Sequence, residues 1–283
     1  MSFNCPKCSA SIDNIIRSGT YFRSSDSKTI QRYLCQSCGK HFSSATFSPN
    51  YQQNKRRLNF QIYTALCSCY SQRRLALVLG VSRVTIQRKL KVLAHQARSR
   101  HLEWLKDQSF SFVQFDDLET FDHSKCKPLS VLLLVNEERK IIAFDVAQIP
   151  AKGHLTKIAL KKYGKRTDKS YKMRHKLFKS IEGNIHPHAE ISSDQHPQYK
   201  KLVSKYFPKA HYQQFKSARS AITGQGELKR KKFDPLFKIN HTFAMLRANI
   251  NRLIRRTWCT TKCIDRLRDH IAIYVDFHNR VLT

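Results

Sequence analysis

The clearest periodicity lies between residues 71 and 93. There Leu75, Leu79, Val81, Val84, Ile86, Leu90 and Leu93 recur at helix-compatible spacings. Gly80 sits where a tight turn separates two helices, and Ser82 is placed to cap the second. The pattern predicts a helix-turn-helix whose second helix covers 82–93. Upstream, 20–23 and 30–34 read as short strands, with an extended tail at 39–42. Downstream the period changes. Residues 110–115, 130–135 and 141–146 read as strands, 154–162 and 198–206 as helices, 210–215 as a last strand, and 239–283 as helical. Strands followed by alternating helices and strands indicate an α/β domain. The expected fold class is a multidomain α+β and α/β chain, divided into 1–48, 49–104 and 105–283.

Charge adds a partner to this outline. Lys and Arg number 52 against 20 Asp and Glu, a formal net charge of +32 over 283 residues. The excess is spread along the chain and calls for a polyanion, because neutralised phosphates release counterions. Nucleic acid is the expected partner; a membrane-surface or ribosome-associated protein is the alternative. No segment approaches the roughly 18 consecutive apolar residues of a spanning helix, and the longest apolar run is only 131–135. The N-terminus carries no apolar signal region, so a cytoplasmic, nucleoid-associated protein is expected. Hydrophobic residues make up 41%, enough for a packed core.

The nine cysteines point to metal or free thiols. Cys5 and Cys8 form one CxxC knuckle, Cys35 and Cys38 a second. Two knuckles supply four thiolates, a complete tetrahedral set for structural Zn²⁺ with no open position, and short strands between them make a zinc-ribbon pattern. Cys259 and Cys263 lie one helical turn apart and read as core or free thiols. On the second helix of the helix-turn-helix, Arg83, Thr85, Gln87, Arg88 and Lys89 are candidates for contact with bases and phosphates; an ordinary hairpin with a solvated basic face is the alternative.

In so basic a chain, acids at strand ends stand out. Asp116 and Asp117 follow strand 110–115, and Asp194 follows 189–193. Carboxylates on adjacent strands bind Mg²⁺, and two such ions about 3.5–4 Å apart serve phosphodiester chemistry. Asp after a strand is also an ordinary turn former.

From Phe115 onward the chain resembles the RNase H-like catalytic domain of zinc-ribbon insertion-sequence transposases. The stretches that carry the resemblance are QFDDLETF, SSDQHPQYKKLVSKYFPKAHYQQF and INHTFAMLRANINRLIRRTWCTTK. With the two knuckles and the helix-turn-helix upstream, it covers nearly the whole chain in order. It implies catalytic acids at Asp116, with Asp117 as the other choice, and at Asp194. It also implies a third ligand at a helix start with a basic residue seven positions on. Asn240 and Arg247 occupy those slots, which makes the site Asp-Asp-Asn; Glu227, 33 residues after Asp194, is the rival. Seven residues return almost to the same helix face. Arg247, Arg252, Arg255 and Arg256 are expected on one helix tracking the DNA backbone. His123, His186, His188 and His196 receive no role, and His211 is expected near the site. The implied activity is Mg²⁺-dependent cleavage of double-stranded DNA at the element's terminal repeats. Transfer of the 3′-OH to target DNA follows, carried out by at least a homodimer. A DNA-binding regulator or decayed transposase without catalysis is the main alternative, and an RNA-binding ribbon protein a third.

Overall fold

The computed structural model describes residues 4–216, 234–254 and 258–283. The chain forms two compact units, Met1–Gln61 and Ile62–Thr283.

The first unit is a three-stranded antiparallel sheet of β1 (Ile15–Arg23), β2 (Lys28–Cys35) and β3 (His41–Ser43), in that order. The register Ile15↔Cys35 and Tyr33↔Phe42 places the strand ends beside the cysteine knuckles. Its small core holds Cys5, Cys35 and Phe42, with the Tyr33 ring stacked on Phe42 at 5.6 Å.

The second unit is a mixed α/β assembly. After α1 (Asn59–Leu66), which carries the boundary between the units, come α2 (Gln72–Val78) and α3 (Arg83–Leu105). A five-stranded sheet follows: β4 (Phe110–Phe121), β5 (Pro128–Val135), β6 (Ile141–Gln148), β7 (Ile185–Asp194) and β8 (His211–Phe215). Its order is β6-β5-β4-β7-β8; β4, β5 and β6 pair antiparallel, whereas β7 runs parallel to β4 and to β8. The apolar run 131–135 on β5 is buried throughout, as an inner strand of a sheet covered on both faces requires. Between the strands lie α4 (Leu155–Tyr163), α5 (Ser170–Ser180) and α6 (Tyr199–Tyr206). On one face, Phe115 packs at 5.2 Å from Phe178 of α5 and 4.8 Å from Tyr199 of α6. The chain ends with α7 (Phe237–Asn249) and α8 (Ile264–Phe277).

Three expectations change. Strand β4 does not stop at Phe115. It continues to Phe121 because β5 offers an antiparallel partner from Gln114↔Val135 to Phe121↔Pro128. The second helix of the hairpin runs past Leu93 to Leu105, since its lower half packs on α8. The 239–283 segment is not one helix. Ile250 is extended (φ −104°, ψ 103°), α7 ends there, and Arg252 falls in a 3₁₀ turn, Asn251–Leu253. Arg247 and Arg252 therefore do not share a helix; Arg255 and Arg256 lie outside the described residues. Residues 62–105 belong to the same compact unit as the sheet. Among the described residues, no helix is long and apolar enough to cross a membrane.

Candidate active site and metal-binding cysteines

The two knuckles converge. The ligating sulfurs of Cys5, Cys8, Cys35 and Cys38 all lie within 4.8 Å of one another. Cys5 Sγ is 3.7 Å from Cys38 Sγ, and Cys8 Sγ is 3.6 Å from Cys35 Sγ. A tetrahedron with Zn–S bonds of about 2.3 Å has edges of about 3.8 Å, so the set is already near the size one Zn²⁺ needs. Each knuckle turns back on itself in the same way. Ser9 N–H donates to the Cys5 carbonyl and Gly39 N–H to the Cys35 carbonyl, each at 2.9 Å, and both residues are left-handed (φ +59° and +68°). Burial opposes ionisation of Cys5, yet the N–H groups of Cys8 and Lys7 and the neighbouring thiols bring it down to about 6. Cys8, among the same thiols, is pushed up to about 12. Four thiols this close ionise together only around a cation.

The carboxylate site is built by register. In parallel pairing Phe115 of β4 faces Ser193 of β7, so the next residues, Asp116 and Asp194, come side by side where β7 ends. Strand alternation sorts their faces. Phe115 points to α5 and α6, and so does Asp117. Asp117 accepts from Ser130 Oγ at 2.7 Å, from Tyr199 OH at 2.9 Å and from Arg174 Nε at 3.1 Å. A second Arg174 nitrogen also reaches Asp117. Arg174 in turn donates to Gln198 Oε1 at 2.6 Å. Asp117 is thus an anchor between β4, β5, α5 and α6. Gln114 points the other way. It donates to the Pro235 carbonyl at 2.7 Å and accepts from Ile239 N–H at 3.2 Å, tying the start of α7 to β4. Asp116 shares that face.

Electrostatics separate these acids. Burial, and next the nearby charge of Asp194, hold Asp116 well above the usual carboxylate range. Asp194 is also raised by burial, against the N–H of His196, which donates to it at 3.1 Å. Two carboxylates that resist ionisation side by side form an oxygen set that a cation would complete. Among the described residues, the four cysteines are the one group of three or more His, Cys, Asp or Glu at metal-sharing distance.

Asn240 lies on α7, on the side of the sheet where Asp116 points. Its Nδ2 donates to Asp234 Oδ2 at 2.7 Å. Because a carboxylate only accepts, this bond fixes which end of the amide faces Asp234 and leaves Oδ1 as the free donor oxygen. Ile239, Phe243, Leu246, Ile250 and Leu253 are all buried, which sets the apolar side of this segment. Arg247 is half-buried seven positions on. Glu227 lies outside the described residues. His211 is not at the site: it pairs with Glu190, while Phe215 is the β8 partner of Asp194. His196 is there, stacked on Tyr199 at 4.6 Å.

On the helical hairpin, Gly80 makes the turn with φ +59°, and Ser82 caps α3 by accepting from Thr85 N–H at 3.2 Å. Arg83, Gln87 and Arg88 are exposed, and Thr85 is half-buried with its hydroxyl on Ser82. Lys89 is not available as expected. It is 5% exposed, because it falls with Ile86, Leu90 and Leu93 on the packed face of α3. Arg252 is likewise drawn in. Its Nη1 donates to Thr261 Oγ1 at 3.1 Å, and burial lowers its pKa.

The anchoring roles of Arg174, Gln114 and Asp234 are not evident in the sequence. Arg174 is one of 52 Lys and Arg, and its partner is 57 residues away. No protein-family model matches the chain, and no curated protein matches it.

Proposed function

We propose that the chain is an insertion-sequence transposase. In this reading β1–β3 with the four cysteines are a zinc ribbon, α2 and α3 a helix-turn-helix that reads the element's terminal repeats, and the five-stranded sheet an RNase H-like catalytic domain. The observation that carries it is the register that sets Asp116 beside Asp194 on the face bearing α7, with both carboxyls resisting ionisation.

The donor set suits Mg²⁺: two carboxylates and, on α7, an amide oxygen left free by the Asn240–Asp234 bond. Asp116, Asp194 and Asn240 would hold the metal, which when bound would supply Lewis-acid activation of the attacking oxygen and stabilisation of the leaving one. Asp117, through Arg174 and Tyr199, holds β4 against α5 and α6, so that Asp116 keeps its place relative to Asp194. Gln114 fixes the start of α7. Arg247 is the residue proposed to bind the scissile phosphate, and Arg83, Gln87 and Arg88 the residues that position duplex DNA. Water displaces the 3′-oxygen from the scissile phosphate, leaving a 3′-OH and a 5′-phosphate; that 3′-OH then attacks a target phosphodiester, forming the joined strand and releasing a target 3′-OH. Pairing two ends requires at least a dimer.

The test is cleavage of labelled terminal-repeat DNA in Mg²⁺ or Mn²⁺. Asp116→Ala and Asp194→Ala should lose cleavage and keep DNA binding; cutting near the parent rate in either rejects the site. Asn240→Ala should be inactive and Glu227→Ala active, and the reverse moves the third ligand to Glu227. The second reading, a DNA-binding protein without catalysis, draws on the neutral Asn240 in the third slot. A parent chain that binds its repeats but cuts with neither metal would favour it.

A further inference from the structure

The second unit contains a groove of about 1450 Å³ away from Asp116 and Asp194. One wall is the helical hairpin, where Arg83, Gln87 and Lys91 form an exposed stripe at i, i+4 and i+8 of α3. The other side is lined by the segment leading into α8, with Trp258 and Lys262, and by Arg266 in the first turn of α8. Eight Arg or Lys line the groove and no Asp or Glu does. The two walls are pinned at their base. Cys69 N–H donates to the Asn249 carbonyl at 2.8 Å, Asn251 Nδ2 to the Cys69 carbonyl at 3.3 Å, and buried His270 Nε2 to the Leu66 carbonyl at 2.8 Å.

Trp258 is 75% exposed on this wall. A large apolar ring held in the open beside so many cations has one obvious chemical complement, a polyanion that also carries flat rings. Cationic grooves with aromatic platforms are how proteins hold single-stranded nucleic acid, with phosphates along the walls and a base on the ring. A duplex is read differently. Its major groove, about 12 Å wide, takes in a protruding helix with free flanks. Here Trp258 and Lys262 stand on the other side of the groove from α3, so a strand held there leaves the Arg83 and Arg88 end of the helix to the duplex.

We infer that this groove binds a single DNA strand, with an unpaired base stacked on Trp258. The inference rests on the transposase reading for the choice of DNA, and it assigns the 258–266 segment a part in holding the strand.

The probe is a short fluorescein-labelled oligothymidylate, compared with a random duplex, on the zinc-loaded full-length protein. Trp258→Ala should weaken oligothymidylate binding about tenfold, since stacking is worth about 1–3 kcal/mol per base. Duplex affinity should change less than about twofold, and Trp258→Phe should keep most of the binding. Lys262→Ala should lower the salt slope for the single strand by about 0.7. The chain has two tryptophans, and Trp104 is half-buried against Phe110, so quenching by oligothymidylate should vanish with Trp258. No quenching, no loss in Trp258→Ala, or an equal loss on both DNAs would overturn the inference. Normal terminal-repeat cleavage with no oligothymidylate binding sinks the groove alone. Oligothymidylate binding by a parent chain that never cleaves sinks the transposase reading alone.

Discussion

The two units of this chain are held together by different means. Among the described residues, the first buries few apolar side chains: Cys5, Ile30, Cys35, Phe42 and Ala45. The second buries many more, with Phe115, Phe178, Tyr199 and Tyr274 among the largest. A unit of about sixty residues with so small a core calls for a staple, and a metal on the four converging thiols would be one. The larger unit has a core of its own. The contrast sets a unit whose four thiols are spaced for a metal against one held by burial.

The largest expected effect tests that separation directly. Structural Zn²⁺ binding is worth on the order of 10 kcal/mol or more, so a chelator, or Cys35→Ser, should unfold residues 1–61 and leave 62–283 folded. Hydrogen exchange read by mass spectrometry would show protection lost in the first unit only; loss in both would mean the burial in the second is not self-sufficient.

Within the second unit, polar groups inside the core set the next effect. Asp276 accepts from Tyr63 OH at 2.7 Å and from Arg100 at 2.6 and 3.0 Å, and its side chain is 2% exposed. Asp276→Ala leaves both donors unmatched. Because Arg100 is itself well exposed, the cost should fall near about 3 kcal/mol, at the low end for a broken buried pair. The urea midpoint of 62–283 should drop while zinc retention stays unchanged.

Acid should also act on the larger unit. Burial, with Arg252 nearby, lowers the pKa of His270 to about 4 from an ordinary 6.5. The unfolded chain then takes up the proton first, so stability falls as pH drops through that window, by up to about 3 kcal/mol. His270→Asn should flatten this acid limb in urea titrations between pH 7 and 4.5. An unchanged slope would assign the sensitivity to other groups.

The smallest effect compares the knuckles. Ser9 occupies the left-handed position that Gly39 fills in its counterpart. Ser9→Gly should stabilise the zinc-loaded unit by about 0.5 kcal/mol, read as slower zinc loss to a chelator. No change would mean that Ser9 carries no strain there.

How much of this was legible in the sequence follows from the range of the interactions. The doubled CxxC spacing was enough to place the thiol cluster, because each knuckle is a local turn. The hairpin around Gly80 and Ser82 was legible for the same reason. What was not legible depended on partners far along the chain. The extension of β4 needed β5. Which face Asp116 and Asp117 each take needed Arg174 and Tyr199 to hold Asp117 on one side of the sheet. The burial of Lys89 needed the core that α3 packs against, and the break at Ile250 came where charge and helical spacing alone favoured continuation.

The continuity of α3 has a mechanical consequence. Its 23 residues make a rod of about 35 Å at 1.5 Å per residue. The free end carries Arg83, Gln87 and Arg88, while the body is clamped to α8 through Arg98–Asp269 and Arg100–Asp276. No hinge separates the end that would read DNA from the body that would cut it. On the proposed function the helix works as a caliper. The number of base pairs between the recognised sequence and the nick is set by a rigid length, and a protein built this way measures its cleavage point instead of searching for it.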